Sequence, residues 1–246
     1  MFSDLLDFHS VPYEQGKRQL LVDCPSCGKE KHLYANNDTG QWDCKVCGLS
    51  GNKYTFLTLL ADVSLAQTSV TERKQLAKTR GLKSATLKRF GVAKCLFQDG
   101  WYLPARNRKG TVRNLYKYAG KNIYSTTDCS PQLLGLDTLK PKKQIILCEG
   151  HWDHIACDFA LRTSKMTKEF HALGVPGANV FEEDWIRWFR GREVWMVYDN
   201  DQAGEDGMDR VSVMLKETVS TLHRIDWGDQ PAGFDFRDLL LGETNG

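Results

Sequence analysis

The chain has 246 residues, of which 41% are hydrophobic and 26% charged, which is the composition of a globular protein with one large or two modest domains. The formal net charge of +2 favours no class of partner by itself. No apolar run approaches the roughly 18 residues of a membrane span, and the N-terminus lacks the basic-then-apolar plan of a signal peptide, so we expect no membrane contact.

Four of the eight cysteines form two C-x₂-C pairs separated by sixteen residues, Cys24 with Cys27 and Cys44 with Cys47. This spacing predicts a zinc ribbon, in which two knuckles converge on one tetrahedral ion. Four thiolates fill the coordination shell, so we expect a structural Zn²⁺ rather than a catalytic one. A doubled redox dithiol is the alternative. The remaining cysteines are expected to be buried or half-buried thiols: Cys95, Cys129, Cys148 and Cys157.

Between the two knuckles, residues 31–35 and 40–43 alternate like hairpin strands around a turn at 36–40. Basic and aromatic side chains in and beside this hairpin could stack on bases or touch phosphates of DNA. The candidates are His32, Tyr34, Trp42 and Lys45. The alternative is that Tyr34 and Trp42 only cover a thin core.

Residues 53–92 have a helical pattern, and we expect a flexible linker at 67–69. The pattern then changes to strands and turns between residues 101 and 124. No acid lies between Asp99 and Asp128, whereas this stretch has six basic residues: Arg106, Arg108, Lys109, Arg113, Lys117 and Lys121. Tyrosines are interleaved with them. A positive strip with aromatics favours contact with single-stranded nucleic acid or a nucleoside triphosphate, although a solvated charged face is the alternative.

The last third alternates strands and helices, which predicts a parallel sheet. An apolar strand at 145–148 runs into Glu149, and another at 194–198 runs into Asp199 and Asp201, which share one face of an extended chain. Carboxyl ends of neighbouring parallel strands form a ligand-binding edge. Clustered carboxylates repel one another, so we expect a divalent cation such as Mg²⁺ to bind there.

Several other residues of this region bear on the site. Asp153 lies one turn into the helix after Glu149 and could support the metal or simply complement the helix dipole. His151 and His154 are expected to be exposed on the same turn. Residues 182–190 predict a helix, and two late acids, Asp235 and Asp238, precede the C-terminus.

The acids and glycines of this region resemble the Toprim domain of primases, topoisomerases, recombination mediators and certain nucleases. The matching pattern is Glu149-Gly150-x-x-Asp153, then Gly174-x-x-Gly177, then Asp199-x-Asp201-x-x-Gly204. A Cys₄ ribbon, a basic segment and a Toprim pattern, in that order, resemble the primase half of T7-type bacteriophage primase–helicases. The expected domains are a ribbon at 1–52, a helix and linker at 53–69, a basic subdomain of the polymerase domain at 70–140 and the Toprim subdomain at 141–246.

The resemblance implies an α/β Toprim fold and a DNA primase, a nucleotidyltransferase that makes short RNA primers on single-stranded DNA from ribonucleoside triphosphates. By the family pattern, Glu149, Asp199 and Asp201 hold one or two Mg²⁺ or Mn²⁺ ions. Asp153, Asp235 and Asp238 are supporting acids. Lys121, with Arg113 or Lys117, meets the triphosphate or template. Glu149 is alternatively a general base.

The resemblance also implies a setting and some departures. We expect a protein of the cytoplasm in a bacterial or phage-infected cell that works with a replicative helicase, in trans or as a further domain. Related primases often have a lysine where this chain has Phe234, and no G-x-x-x-x-G-K-[ST] phosphate loop is present. A Toprim nuclease and a non-catalytic recombination mediator remain alternatives.

Overall fold

The structure, a computed structural model, describes residues 1–141 and 144–244, with side chains up to residue 242. The chain divides into two compact units. The first consists of Met1–Lys74 with Leu87–Pro131, and the second of Gln75–Thr86 with Gln132–Gly246. The polypeptide therefore passes twice between the units within the helical segment that follows the ribbon.

The first unit begins with a short helix and a five-stranded antiparallel sheet whose strands follow chain order. Its elements are α1 (Phe2–Phe8), β1 (Tyr13–Gln15), β2 (Leu20–Val22), β3 (Leu33–Ala35), β4 (Trp42–Cys44) and β5 (Ser50–Gly51). The pairing of β3 with β4 confirms the predicted hairpin between the cysteine pairs. Alternate residues of these strands are buried, as expected for a sheet with one face on a core.

Three helices follow: α2 (Lys53–Gln67), α3 (Val70–Thr79) and α4 (Ser84–Arg89). The Asn52 side chain caps α2 by accepting hydrogen bonds from the backbone N–H groups of Tyr54 and Thr55. The predicted flexible linker is wrong, because Thr68 is buried and its hydroxyl donates to the Ser64 carbonyl and accepts from the Lys94 backbone N–H. Residues 67–69 are therefore a tight, hydrogen-bonded corner between α2 and α3.

The basic segment forms a four-stranded antiparallel sheet in the order β6-β7-β8-β9. Its strands are β6 (Ala93–Lys94), β7 (Trp101–Arg106), β8 (Val112–Ala119) and β9 (Asn122–Tyr124). One hydrophobic cluster joins this sheet, α1, α2 and the ribbon strands, with Leu6, Leu33, Phe56, Tyr102 and Leu115 all fully buried. The ribbon thus shares its core with the helix and sheet that follow it, which explains how so small a zinc module is supported.

The second unit is built on a four-stranded parallel sheet in the order β11-β10-β12-β13. Its strands are β10 (Gln144–Glu149), β11 (Phe170–Val175), β12 (Glu193–Val197) and β13 (Thr221–Arg224), and its helices are α5 (His151–Thr163), α6 (Gln202–Leu215) and α7 (Phe236–Thr244). Short 3₁₀ helices cover Leu136–Thr138, Met166–Lys168 and Glu183–Trp188. The last of these lies where the sequence predicts a helix at 182–190.

The two faces of the parallel sheet carry separate apolar clusters. The larger contains Ile145, Leu147, Val194, Met196 and residues of α6 such as Val211. The smaller, on the other face, packs Cys148 against Cys157 and Leu161 of α5. Both faces are covered, as a parallel sheet requires, and this confirms the predicted α/β class with helices flanking a parallel sheet.

The structure has two compact units, whereas the sequence predicts four domains. The boundaries of those four domains stay a prediction. The four cysteines outside the ribbon are buried or half-buried, as predicted. Within the residues that the structure describes, no helix has the length and apolar character needed to cross a bilayer.

Candidate functional site

The four ribbon cysteines bring their sulfur atoms together as a closed group. The Sγ atoms of Cys24 and Cys47 lie 3.8 Å apart, as do those of Cys27 and Cys44. A tetrahedron with Zn–S bonds of about 2.3 Å has S···S edges of about 3.8 Å. Among the described residues, this is the one group of three or more potential ligands whose ligand atoms all lie within 4.8 Å of one another. The site therefore fits a structural zinc ion.

The outward face of the ribbon hairpin carries three of the four predicted DNA-binding residues. His32 and Lys45 are exposed, and Tyr34 is half-buried opposite Asp43 on the neighbouring strand. The Lys45 ammonium forms an ion pair with Asp43. These side chains form a mixed polar and aromatic surface that a nucleic-acid strand could reach.

Trp42 does not belong to that surface. Its side chain is 5% exposed, its ring packs edge-on against Phe56, and its indole N–H donates to the Asn52 carbonyl. A ring held in the core cannot stack on a base without opening that core. The structure therefore corrects the prediction for Trp42 in favour of the alternative, that it covers the thin core of the ribbon.

The basic residues of the second antiparallel sheet differ in how strongly contacts within the protein hold their side chains. Arg106 is held by Asp62 of α2 at 2.9 Å and by the Gly110 carbonyl at 2.8 Å, so its guanidinium is committed to internal contacts. The Arg113 guanidinium stacks 3.5 Å from the centroid of the Tyr54 ring. Such residues can contact phosphate only through their remaining N–H groups.

Lys117 and Lys121 lie towards the other end of this sheet. The Lys117 ammonium donates to the Gln98 side chain at 2.7 Å. Lys121 is exposed in the β8–β9 turn, directly after Gly120, whose φ of +62° suits a residue without a side chain. Of the four basic candidates, Lys121 is the most accessible.

The predicted metal-binding acids follow two strands that pair in parallel. Cys148 of β10 lies in register with Val197 of β12, so Glu149, Asp199 and Asp201 all leave the sheet at its carboxyl edge. Asp201 caps α6, because its Oδ1 accepts the Gly204 backbone N–H at 2.8 Å. A Cβ on Gly204 would stand 2.2 Å from the Asp199 carbonyl oxygen, which gives the glycine of the motif a steric reason.

The environment of this edge raises the pKa values of Glu149 and Asp199. Glu149 accepts the Ala178 backbone N–H through Oε1 at 3.0 Å, whereas its Oε2 is buried without a hydrogen-bond partner. Burial raises the pKa of Glu149 and the Asp201 charge adds to this, whereas the backbone N–H groups of Asp199 and Ala178 lower it. Burial, then the charges of Glu149, Asp153, Asp235 and Asp201, raise the pKa of Asp199 to about 8. Five carboxylates therefore act on one another at the same edge.

The start of α7 contacts two of these acids. Asp153 accepts the Arg237 backbone N–H through Oδ1 at 3.0 Å. Asp235 accepts the Asp238 backbone N–H at 2.7 Å and forms an ion pair with the Arg237 guanidinium at 2.7 Å. Burial, together with the Asp235 charge, raises the pKa of Asp153 to about 7 although Arg237 opposes it. Asp153 is thus both a buried member of the acid group and a partner of α7.

Two residues that sequence reasoning missed position the loops around the acids. Asn200 lies between the two aspartates; its amide donates to the carbonyls of Gln230 and Pro231, and its backbone exchanges hydrogen bonds with Gly233 and Phe234. Its place between the two aspartates is the sequence feature that could have marked Asn200 as part of the site. Arg210 of α6 is the second, and no local pattern marked it.

Arg210 supports the loop that holds Glu149. Its guanidinium donates to the Ala178 carbonyl at 2.6 Å and to the Asn179 side chain at 2.9 Å. The N–H of the same Ala178 holds Glu149. The position of the first acid therefore depends on a residue of the helix that follows the other two.

The expectation for the two histidines of α5 is wrong. His151 is 5% exposed and His154 is 4% exposed. A Cβ on Gly174 would lie 2.7 Å from the His154 Cβ, so α5 packs closely on β11 at this point. Burial lowers the pKa of His151 to about 3, which keeps the ring neutral. These rings belong to the packing behind the acids.

The acids fit a divalent cation in their chemistry. Oxygen donors from carboxylates are what Mg²⁺ and Mn²⁺ prefer. The Oε2 atom of Glu149 is buried without a hydrogen-bond partner, and neighbouring negative charges raise the pKa of Asp199. A cation bound nearby would interact favourably with both carboxylates and so lower the free energy of the folded protein. Unlike the cysteines, these oxygens do not form a closed group among the described residues. These carboxylates do not fill a coordination shell by themselves, and we call this edge the open site.

No protein-family model matches the sequence, and no curated protein matches it in sequence. Solved structures match in fold. The zinc-binding and RNA polymerase domains of the Aquifex aeolicus primase match with a TM-score of 0.52 at 14% identity, over 98% of this chain and 80% of that one. The primase fragment of the bacteriophage T7 primase–helicase matches at 0.54 and 17% identity, over 90% and 94%.

A third structure, the DnaG primase catalytic domain bound to single-stranded DNA, matches with a TM-score of 0.57 at 20% identity. The match covers 76% of this chain and 74% of that one. At such low identities the similarity concerns the fold. This chain has the fold of the zinc-binding and RNA polymerase domains of DNA primases.

Proposed function

We propose that this chain is a DNA primase that makes short RNA primers from ribonucleoside triphosphates on a single-stranded DNA template. The proposal is supported by the parallel pairing of β10 with β12, which brings Glu149, Asp199 and Asp201 out at one edge of the sheet, and by the effect of the Glu149 and Asp201 charges on Asp199, in a chain with the primase fold. Fold alone does not define an activity, so the acids are the essential part of the argument.

The acids are proposed to hold one or two Mg²⁺ or Mn²⁺ ions. Glu149, Asp199 and Asp201 would be ligands, with Asp153 and Asp235 in support. Divalent ions supply charge stabilisation for the attacking and leaving oxygens of an in-line displacement at phosphorus. The open shell of the site suits this role, because substrate oxygens need free coordination positions.

The chain's own residues would supply position and proton transfer. Asp201 is fixed by its cap on α6, and Glu149 is fixed through Oε1 by the Ala178 backbone. The Oε2 atom of Glu149, which has no hydrogen-bond partner among the described residues, is the oxygen that would contact a metal ion or accept the proton of a primer 3′-hydroxyl. The raised pKa of Glu149 brings this carboxyl closer to the range in which a general base works.

Template and nucleotide binding are proposed for the basic sheet and the ribbon. Lys121 is the accessible cation of the β8–β9 turn, and Arg113 and Lys117 retain N–H groups for phosphate. The ribbon face with His32, Tyr34 and Lys45 would contact the template. A DnaG neighbour of the same fold was solved with single-stranded DNA, which supports this class of ligand.

The biological setting is part of the proposal. One structural neighbour is the primase part of a primase–helicase from bacteriophage T7. We propose that this chain works with a replicative helicase, either in trans or as a further domain, in the cytoplasm of a bacterial or phage-infected cell.

The proposal can be tested by incubating the zinc-loaded protein with single-stranded DNA, labelled ribonucleotides and Mn²⁺ or Mg²⁺, and sizing the products. Wild type should make short, template-dependent RNA. Asp199→Asn should reduce synthesis by roughly a thousandfold, because a missing ligand removes transition-state charge stabilisation. Asp209→Asn is the matched control, since Asp209 is exposed on α6 and pairs with Arg224. It should synthesise like wild type.

Other products would favour the other functions. Cleaved DNA without incorporation would indicate a Toprim nuclease. DNA binding without either reaction, unchanged in Glu149→Gln, would indicate a recombination mediator. Normal synthesis by Asp199→Asn would refute the proposed metal site.

A further inference from the structure

Both oxygens of Asp235 are already occupied in the structure. Oδ1 accepts the Asp238 backbone N–H at 2.7 Å, which caps the first turn of α7. Oδ2 lies 2.7 Å from Nη2 of Arg237. The two side chains are 10% and 21% exposed, so this ion pair is largely sheltered from water. Asp235 can serve a metal ion only if it shares or releases the guanidinium.

Arg237 is tied to a second acid of the site through its backbone. Its N–H donates to Oδ1 of Asp153 at 3.0 Å. The Arg237 charge also lowers the pKa of Asp153, against the larger effects of burial and Asp235. The first turn of α7 therefore places one positive charge against two of the five carboxylates.

A guanidinium and a divalent ion act on this acid group in opposition. Each cation stabilises the ionised carboxylates, so the binding of one reduces the free energy that the other gains by binding to them. Their own charges repel, and a sheltered site screens that repulsion poorly. At a pH above the raised pKa values of these acids, where the carboxylates are ionised with or without Arg237, a cation that is always present raises the concentration of divalent ion needed to fill the site.

We propose that Arg237 is a resident counter-cation that competes with a divalent metal ion for Asp235 and thereby sets the metal affinity of the acidic site. This inference rests on the proposed metal site. A divalent ion that took Oδ2 of Asp235 would compete with the guanidinium for that oxygen, whereas the hydrogen bond from the Arg237 backbone to Asp153 would still hold the start of α7. Positioning α7 and weakening metal binding are then two separate effects of one residue, carried by its backbone and its side chain.

The test is a titration of Mn²⁺ alone, without nucleotide or DNA, into zinc-loaded wild type, Arg237→Gln, Arg237→Lys and Arg162→Gln, followed by calorimetry. Thiolates prefer zinc to Mn²⁺, so the ribbon does not interfere. Arg162 is the matched control because it also pairs with an aspartate, Asp158, at 2.9 Å, but on the last turns of α5.

Arg237→Gln should bind Mn²⁺ about tenfold more tightly than wild type, the effect of removing one charge close to the ion. Arg237→Lys retains the charge and should stay within about threefold of wild type, as should Arg162→Gln. Unchanged or weaker binding by a folded Arg237→Gln protein would overturn the inference. So would equal tightening in Arg162→Gln, which would reflect net charge alone.

The outcomes also separate this inference from the function on which it rests. If wild type and all variants bind no Mn²⁺ at the acidic site, the proposed metal site itself fails, and the inference with it. If wild type binds and Asp199→Asn does not, but Arg237→Gln behaves as wild type, only the role of Arg237 fails.

Discussion

The two candidate metal sites of this chain differ in how complete they are before any ion binds. The ribbon presents four thiolates with sulfur atoms 3.8 Å apart in two pairs, the geometry of a closed tetrahedral shell. The acidic edge presents five carboxylates, of which Glu149, Asp153 and Asp199 have raised pKa values, and these acids form no closed group among the described residues. The four sulfur atoms of the ribbon can fill the coordination shell of a zinc ion, whereas the carboxylates of the open site do not fill a shell by themselves.

Closed and open candidate metal sites should therefore affect folding in different ways. A closed site gains its stability from the ion, so the fold around it depends on metal. An open site must fold with its charges uncompensated, which costs stability that substrate or metal later recovers. The same operation, removal of one ligand, should therefore have opposite effects on stability in the two places.

The largest effect is expected from breaking the closed site. Cys44→Ser should release zinc and destabilise the ribbon by a large part of the roughly 10 kcal/mol that structural zinc contributes in small domains. Cys24 and Cys44 are in the same buried cluster as Leu33 and Phe56, so the damage should reach the surrounding core. Metal analysis and limited proteolysis measure the two losses.

Cys129→Ser is the control for that change, because Cys129 is half-buried and lies outside the knuckles. It should retain one zinc per chain and resist protease. A Cys44→Ser protein that kept its zinc and its resistance would show that the sulfur geometry does not reflect a metal site.

At the open site, removal of a ligand should stabilise the metal-free protein. Asp199→Asn deletes the carboxylate on which four neighbouring charges act, so in chelator at pH 8 its midpoint of thermal unfolding should rise by roughly 3–6 °C. Asp209→Asn, which removes an exposed acid of an ion pair, should not raise it. A lower midpoint for Asp199→Asn would mean that the acids are not under mutual repulsion.

The sign of the pH dependence follows from the same carboxyl. An aspartate has a pKa near 3.8 when unfolded, and that of Asp199 is raised to about 8 in the fold. Between these values the folded chain keeps a proton that the unfolded chain loses, so the stability of the metal-free protein falls as pH rises. Asp199→Asn removes this contribution, and the difference between the two proteins should shrink towards pH 4.

Much of both sites could be predicted because short-range patterns determine them. Two C-x₂-C pairs must place their thiols at knuckles, and acids that directly follow apolar strands must emerge at one edge of a parallel sheet. The position of Glu149, Asp199 and Asp201 at one edge of the sheet follows from the local sequence once β10 pairs with β12. The alternation of strands and helices gave the class of the second unit for the same reason.

What sequence reasoning missed depends on contacts between distant segments. Trp42 is buried because Phe56 of α2 packs against it. The same local sequence in a hairpin with no helix beside it would leave the tryptophan exposed. His154 is buried because glycine at 174 lets α5 approach β11. Arg237 reaches the acids only because residues 236–238 begin a helix beside Asp153.

The loop that holds Glu149 gives a way to perturb the open site without removing a carboxylate. Arg210→Ala deletes the bonds to the Ala178 carbonyl and the Asn179 side chain, so the Glu149 carboxylate loses its fixed position. We expect primer synthesis at saturating nucleotide to fall about tenfold, with little change in KM, since an ill-placed acid affects the transition state more than substrate binding. Arg210→Lys should restore part of the rate. A KM change alone would assign Arg210 to substrate binding instead.

The smallest effect is expected at the edge of the basic sheet. Lys121 is exposed in the turn after Gly120, so its removal leaves the core intact and deletes one charge that can reach a triphosphate. Lys121→Ala should raise the nucleotide KM by roughly three- to tenfold, which corresponds to about 1 kcal/mol of binding, and the effect should weaken at high salt. Lys109→Ala is the matched control, because Lys109 is an equally exposed lysine in the β7–β8 turn. If both variants raise KM equally, the sheet acts through its overall charge. If only Lys121→Ala does, that turn faces the nucleotide.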